Sequence, residues 1–303
     1  MDTKKHRPFV LHGLLLGVIY TLVFSSCLSE PDRSCPAEYQ LRLSVGDKNY
    51  VNISEIPQLS PKDESLPFRA YVGNVMYCLE NVATGQVFID ASSSPVEGND
   101  GFYTLRTTDI PDGRYALSVL GSTDVTNVPE DGVFVLHANN QESFDTYFFH
   151  DTITLNQEKT TYYFSLSRVK GLLVVLLEDA PDSLARVEVN ISSVQQNFDL
   201  VNGYSGESFV HKSFMRDGIQ PDLFSTFVAP TVSGKKSVVR LSLFSKNETM
   251  PYAILPDIEL VVMQNEIAFA KIGFTSSGVE IWIYVSRAWQ KLHNMDININ
   301  GLN

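Results

Sequence analysis

Residues 39–45 read YQLRLSV: Tyr39, Leu41, Leu43 and Val45 are apolar, and Gln40, Arg42 and Ser44 between them are polar. A period of two places the two sets on opposite faces of an extended chain, one buried and one wet. Working outward, the same alternation returns at Tyr115, Leu117 and Val119, and at Val187, Val189 and Ile191. It returns again at Ile258, Leu260 and Val262, and at Val279, Ile281, Ile283 and Val285. Residues 172–177 (LLVVLL) are apolar throughout, as expected of a strand covered on both faces. Turn chemistry separates the runs at Pro111-Asp112-Gly113, Asn202-Gly203, Ser233-Gly234 and Ser277-Gly278. No segment holds a helical period over three turns. The reading is all-β, with short strands forming antiparallel sandwiches.

A boundary falls near Arg168 to Gly171, between TTYYFSLSR and KGLLVVLLEDAP. GRYALSVLGSTD (113–124) and SVVRLSLFSKNE (237–248) are loosely similar, which hints at two related sandwiches. Residues 58–67 (QLSPKDESLP) and 91–101 read as exposed loops.

The amino terminus follows a different logic. Lys4, Lys5 and Arg7 precede an apolar run from Phe9 to Phe24, then Ser25, Ser26 and Cys27. Sixteen residues rise about 24 Å as a helix, short of a hydrocarbon core of about 30 Å. Basic residues, a short apolar stretch and small residues form an export signal. A cysteine directly after the small pair makes a lipobox, so Cys27 is expected to carry lipid, with residues 1–26 removed and 27–34 left as a tether. An ordinary signal peptide or an uncleaved anchor helix are the alternatives. Cys35 and Cys78 remain, either as a disulfide or as two thiols; spacing does not show whether the sulfurs meet. The six histidines are scattered, two of them in the signal, which argues against zinc.

Without residues 1–26, Lys plus Arg falls from 23 to 20 and Asp plus Glu from 35 to 34, a formal charge of -14. That surface is a poor match for nucleic acid, whose affinity comes from neutralised phosphates. Catalytic motifs are missing. Gly203-Tyr204-Ser205-Gly206 is followed by Glu207 where a nucleophile elbow needs glycine, and Gly234-Lys235-Lys236-Ser237 lacks the earlier glycine of a phosphate loop. His150 beside Asp151 reads as a strand-end histidine rather than an acid/base pair. Trp282 falls on the wet parity of its run, where it either meets sugar or packs on a neighbouring element. The expectation is a non-enzyme without metal or cofactor.

At Cys27 to Pro36 (CLSEPDRSCP) followed by YQLRLSV, the chain resembles the fimbrillin-associated anchor lipoproteins of Bacteroidales. IPDGRYALSVLGS, FFHDTITL, FSLSRVKGLLVVLL with Arg168, FDLVNGYSG and EIWIYVSRAW follow in the order of that family. The resemblance covers most of residues 27–290. It implies two transthyretin-like antiparallel β-sandwich domains in tandem, residues 35–168 and 169–303. It further implies an outer-membrane lipoprotein, exposed at the surface, that attaches a fimbrial shaft pilin and accessory subunits by strand complementation. Glu30 and Asp32 resemble a surface-export signal, and Arg42 sits in the strand that an arginine-specific protease removes from related fimbrillins. Asp151-Thr152-Ile153 and Asp182-Ser183-Leu184 match the O-glycosylation acceptor pattern of that order, marking Thr152 and Ser183. Met295, Ile297 and Ile299 alternate with polar residues and read as a strand, donated to a pilin or paired at home. A surface glycan-binding lipoprotein of a nutrient-uptake system and an envelope hydrolase are the rival classes.

Overall fold

The computed structural model describes residues 38–122, 133–199, 201–216, 222–285 and 287–296, without the side chains of 90–92. Among these residues every regular element longer than three residues is a strand. The first sheet has the order β3-β2-β5-β7-β8-β1-β4. Its strands are β1 (Tyr39–Val45), β2 (Asn74–Asn81), β3 (Val87–Pro95), β4 (Tyr103–Thr107), β5 (Gly113–Ser122), β7 (Thr146–Leu155) and β8 (Thr161–Arg168). β7 and β8 share only the rungs Tyr147–Arg168 and Phe148–Ser167, so the sheet folds over at that seam. Its two arms close on Leu41, Leu43, Leu117, Val119 and Tyr147, all buried.

Past Arg168 the chain enters two further sheets. One contains β11 (Gly203–Met215), β10 (Leu184–Asp199), β13 (Ser237–Ser245), β14 (Ala253–Ile254) and β15 (Ile258–Leu260). The other has the order β12 (Asp222–Val228), β9 (Gly171–Glu178), β16 (Ile267–Phe274), β17 (Gly278–Val285) and β18 (Ala288–Asp296). Val187, Val189, Leu241, Ile272 and Ile281 pack between them.

The two halves share one strand order. β3-β2-β5 in the first corresponds to β11-β10-β13 in the second, and β4-β1-β8 to β12-β9-β16. The loosely similar segments at 113–124 and 237–248 are β5 and β13, which hold equivalent places. The sandwiches are not purely antiparallel: β1 pairs with β8, and β9 with β16, in parallel. Alternation reports which face is buried and is blind to strand direction.

Two local readings change. Residues 91–95 belong to strand β3 rather than to a loop, because β2 supplies a partner edge as far as Pro95. Val285 ends the alternation of β17 but is 39% exposed, because it sits at the open hairpin end.

Residues 172–177 are covered on both faces, by different parts of the chain. Leu173, Val175 and Leu177 enter the core between the sheets. Val174 and Leu176 face the other way, under Ile56, with Tyr50, Ile53 and Leu59 around it. That cover comes from the loop after β1, so the first half roofs the outer sheet of the second. Leu120 and Leu136 join the second core, and β6 (Val133–Val135) pairs with β10.

Candidate functional site

The chain passes from one half to the other through Arg168, Val169, Lys170 and Gly171. Arg168 ends β8 and is 1% exposed. Its Nε donates to both carboxylate oxygens of Asp145 at 3.1 and 2.9 Å, Nη1 to Asn265 Oδ1 at 2.6 Å, and Nη2 to the Tyr147 hydroxyl at 2.6 Å. Tyr147 in turn donates to Asp145. The Tyr50 ring lies 4.1 Å from the guanidinium carbon. A buried cation needs this density of partners to offset desolvation. Burial pulls the Arg168 pKa down, but Asp145 and the two tyrosines outweigh it and the net shift is upward. Asp145 and Tyr147 come from the first half and Asn265 from the second, so the guanidinium ties the halves together.

Neighbouring contacts tighten the tie. The Asn52 carboxamide accepts from Ile267 N–H and donates to Ile267 C=O, both at 2.9 Å, standing in for a strand rung. At Gly171 a Cβ would lie 2.3 Å from the Met263 carbonyl, so only glycine lets the linker pass. Lys170 is fully buried, and its Nζ donates to Ser143 Oγ and to the Phe144 carbonyl. Burial pushes it down to about 7, with Asp145 and Glu142 opposing. His137 Nε2 accepts from Ala229 N–H, which requires neutral imidazole, and burial followed by the charge of Lys170 lowers it to about 3.

The strand directions set the two ends apart. Val45 leads to Asp47, whose carboxylate accepts from Arg168 N–H, so β1 ends at the junction and Tyr39 lies at the far end of the first half. β9 runs away from the junction, β17 runs back, and β18 runs away again to Asp296. The described chain therefore enters at the end of the first half remote from the junction and leaves at the end of the second half remote from it.

The expected site residues fall unevenly. Cys27, Cys35, Ile297 and Ile299 lie outside the described residues. Cys78 is half-buried on β2. Thr152 is exposed on β7, whereas the Ser183 hydroxyl oxygen is buried without a partner in the tight approach to β10. Met295 is on β18, opposite Val279, and packs partly against the second core. Arg42 stands between the rings of Phe102 and Tyr163, 4.8 and 5.7 Å away. His150 and Asp151 do not form a pair: His150 Nδ1 meets Ser118 Oγ at 2.9 Å, and Asp151 caps Thr152 N–H at 2.7 Å. Trp282 lies in a cross-strand row between the amines of Lys271 and Lys291, 5.6 and 5.4 Å from its ring centre. Its neighbours are these charged groups rather than a separate element. Sequence reading missed the second-half partners of Arg168; a polar Gln264-Asn265 pair ahead of an apolar strand was the only trace of them.

No family model and no curated protein matches the sequence. Solved structures do. A candidate adhesin from Bacteroides thetaiotaomicron superposes with TM-score 0.52 at 11% identity, covering 86% of this chain and 100% of its own. A candidate adhesin from Bacteroides ovatus gives 0.51 at 15% identity, covering 86% and 97%. The fimbrial anchor protein Mfa2 from Porphyromonas gingivalis matches at 0.43 and 10% identity over 84% and 100%, a score too low to carry weight. At these identities the likeness establishes the fold alone: the chain shares the β-sandwich architecture of the two Bacteroides structures.

Proposed function

We propose that this protein is a lipid-anchored, non-enzymatic fimbrial subunit that holds a shaft pilin at the outer membrane. The observation that carries the reading is the separation of its ends. Residue 38, beyond the Cys27 tether, lies at the end of the first half remote from the junction, and Asp296 at the end of the second half remote from it, with a locked junction between. A protein that joins a membrane to a fibre needs those two attachments far apart and a stiff body to transmit load. Two or three acyl chains at Cys27 would hold the first of these ends, each buried methylene adding about 0.8 kcal/mol. Met295 is the last apolar rung paired at home among the described residues, and Ile297 and Ile299 would continue its alternation toward the pilin. Strand donation by that segment would use the same backbone ladder that builds the sheets.

The test has two arms. Cys27→Ala should abolish incorporation of labelled fatty acid; equal labelling of variant and wild type removes the anchor. Deleting residues 297–303 leaves β18 whole, so the protein should stay folded and lipidated but no longer retain fimbriae on the cell. Normal retention by that truncation moves the contact to another surface.

A further inference from the structure

The correspondence between the halves exposes an edge that one of them leaves bare. In β16 the backbone groups facing away from β9 belong to Ile267, Phe269, Lys271 and Gly273. All four are met: Ile267 by Asn52, and the others by Tyr284, Trp282 and Glu280 of β17. The parallel register places Thr161, Tyr163, Ser165 and Ser167 of β8 in the same four positions relative to β1. Only Ser167 is met, by Phe148 of β7. The N–H and C=O groups of Thr161, Tyr163 and Ser165 have no partner on that side among the described residues.

Bare strand edges invite pairing, and proteins plug them with charges, prolines or side-chain caps. Two neighbouring edges show such plugs. On β7, Asp151 caps Thr152 N–H. On β12, Lys212 takes Ser225 C=O and Glu142 takes Phe227 N–H. Residues 161–167 (TYYFSLS) contain no charge and no proline, and Tyr163 is 70% exposed. Between the parting strands, the Phe149 and Phe164 rings lie 4.9 Å apart and only partly buried, ready to receive apolar side chains.

We propose that the outer edge of β8 is a strand-accepting site. Its occupant is an extended segment of a partner protein, antiparallel to β8, with apolar side chains at alternate positions. The second half supplies the pattern: β17 reads GVEIWIYV and runs antiparallel on the equivalent edge.

The probe is a synthetic peptide of residues 278–285 with added lysines for solubility. Added to the folded protein, it should slow hydrogen exchange at Thr161, Tyr163 and Ser165 by about tenfold or more. The protection should vanish with Ser165→Pro, whose lost N–H has no partner in the intact sheet. It should also vanish for wild-type protein with a peptide carrying proline at its central isoleucine, which decides the matter if the protein variant fails to fold. Absence of protection at about 1 mM peptide, or protection mapping to another edge, overturns the site. Protection that appears without peptide and grows with protein concentration assigns the edge to a second copy and overturns the partner segment.

Discussion

Both halves place β1 or β9 between a parallel and an antiparallel neighbour, and both put a long hairpin on the opposing sheet. They differ in what lies around that frame. The second half adds β17 and β18 beyond β16, and it receives Ile56, Leu120 and Leu136 from the first. The first half receives little in return, and among the described residues it leaves most of the outer edge of β8 uncovered. One order of strands thus yields a nearly closed body and an open one. The second half is finished partly with residues encoded before it begins, so its stability is expected to depend on the first half more than the reverse.

The largest expected effect breaks the tie between them. Arg168→Met leaves the Asp145 carboxylate buried without its cation and should cost about 3–5 kcal/mol in urea unfolding. Arg168→Lys should recover little, because an ammonium cannot reach Asp145, Asn265 and Tyr147 together. A loss below about 1 kcal/mol would mean that the junction carries no load. Next, Ile56→Ala should cost about 2–5 kcal/mol. It should speed hydrogen exchange in β9 and β16 while sparing β2 and β5; equal change in both halves would erase the asymmetry.

Two pH effects come next. Lys170 is held near 7 in the fold, against 10.5 in an unfolded chain. Between those values the unfolded state binds the extra proton, so this residue makes stability rise with pH from about 7 to 10.5. Lys170→Met should flatten that rise. His137 is lowered from 6.5 to about 3, so the unfolded chain binds more protons across that window and stability falls as pH drops through it. His137→Gln should remove this part of the acid loss, as denaturation at pH 4 and 7 would measure. The smallest effect belongs to the half-exposed aromatic row: Trp282→Ala should cost about 1 kcal/mol or less and leave the junction unchanged.

Much of the frame was readable from the residues. The alternation in 39–45, 115–119, 187–191 and 279–283 marked strands and their buried faces, because side chains along a strand point to opposite sides whatever the fold. Residues 172–177 announced cover on both faces without naming the second cover, since Ile56 is more than a hundred residues away. Arg168 stood out as a position, but its partners Asp145 and Asn265 lie on either side of it in the chain and meet only in three dimensions. Thr152 and Ser183 matched one pattern equally, and burial alone told them apart.

The sequence by itself determined that this chain is all-β and acidic, and it set the expectation of an export and lipidation signal ahead of the strands. Those properties depend on local periodicity, on net charge and on contiguous residues. Only the tertiary structure decided which strands run parallel, that each described end lies remote from the junction, and that β8, among the described residues, keeps a bare edge where β16 does not. Those depend on contacts between distant segments, and backbone hydrogen bonds, identical for nearly every residue type, leave no mark in the sequence of the partner they choose.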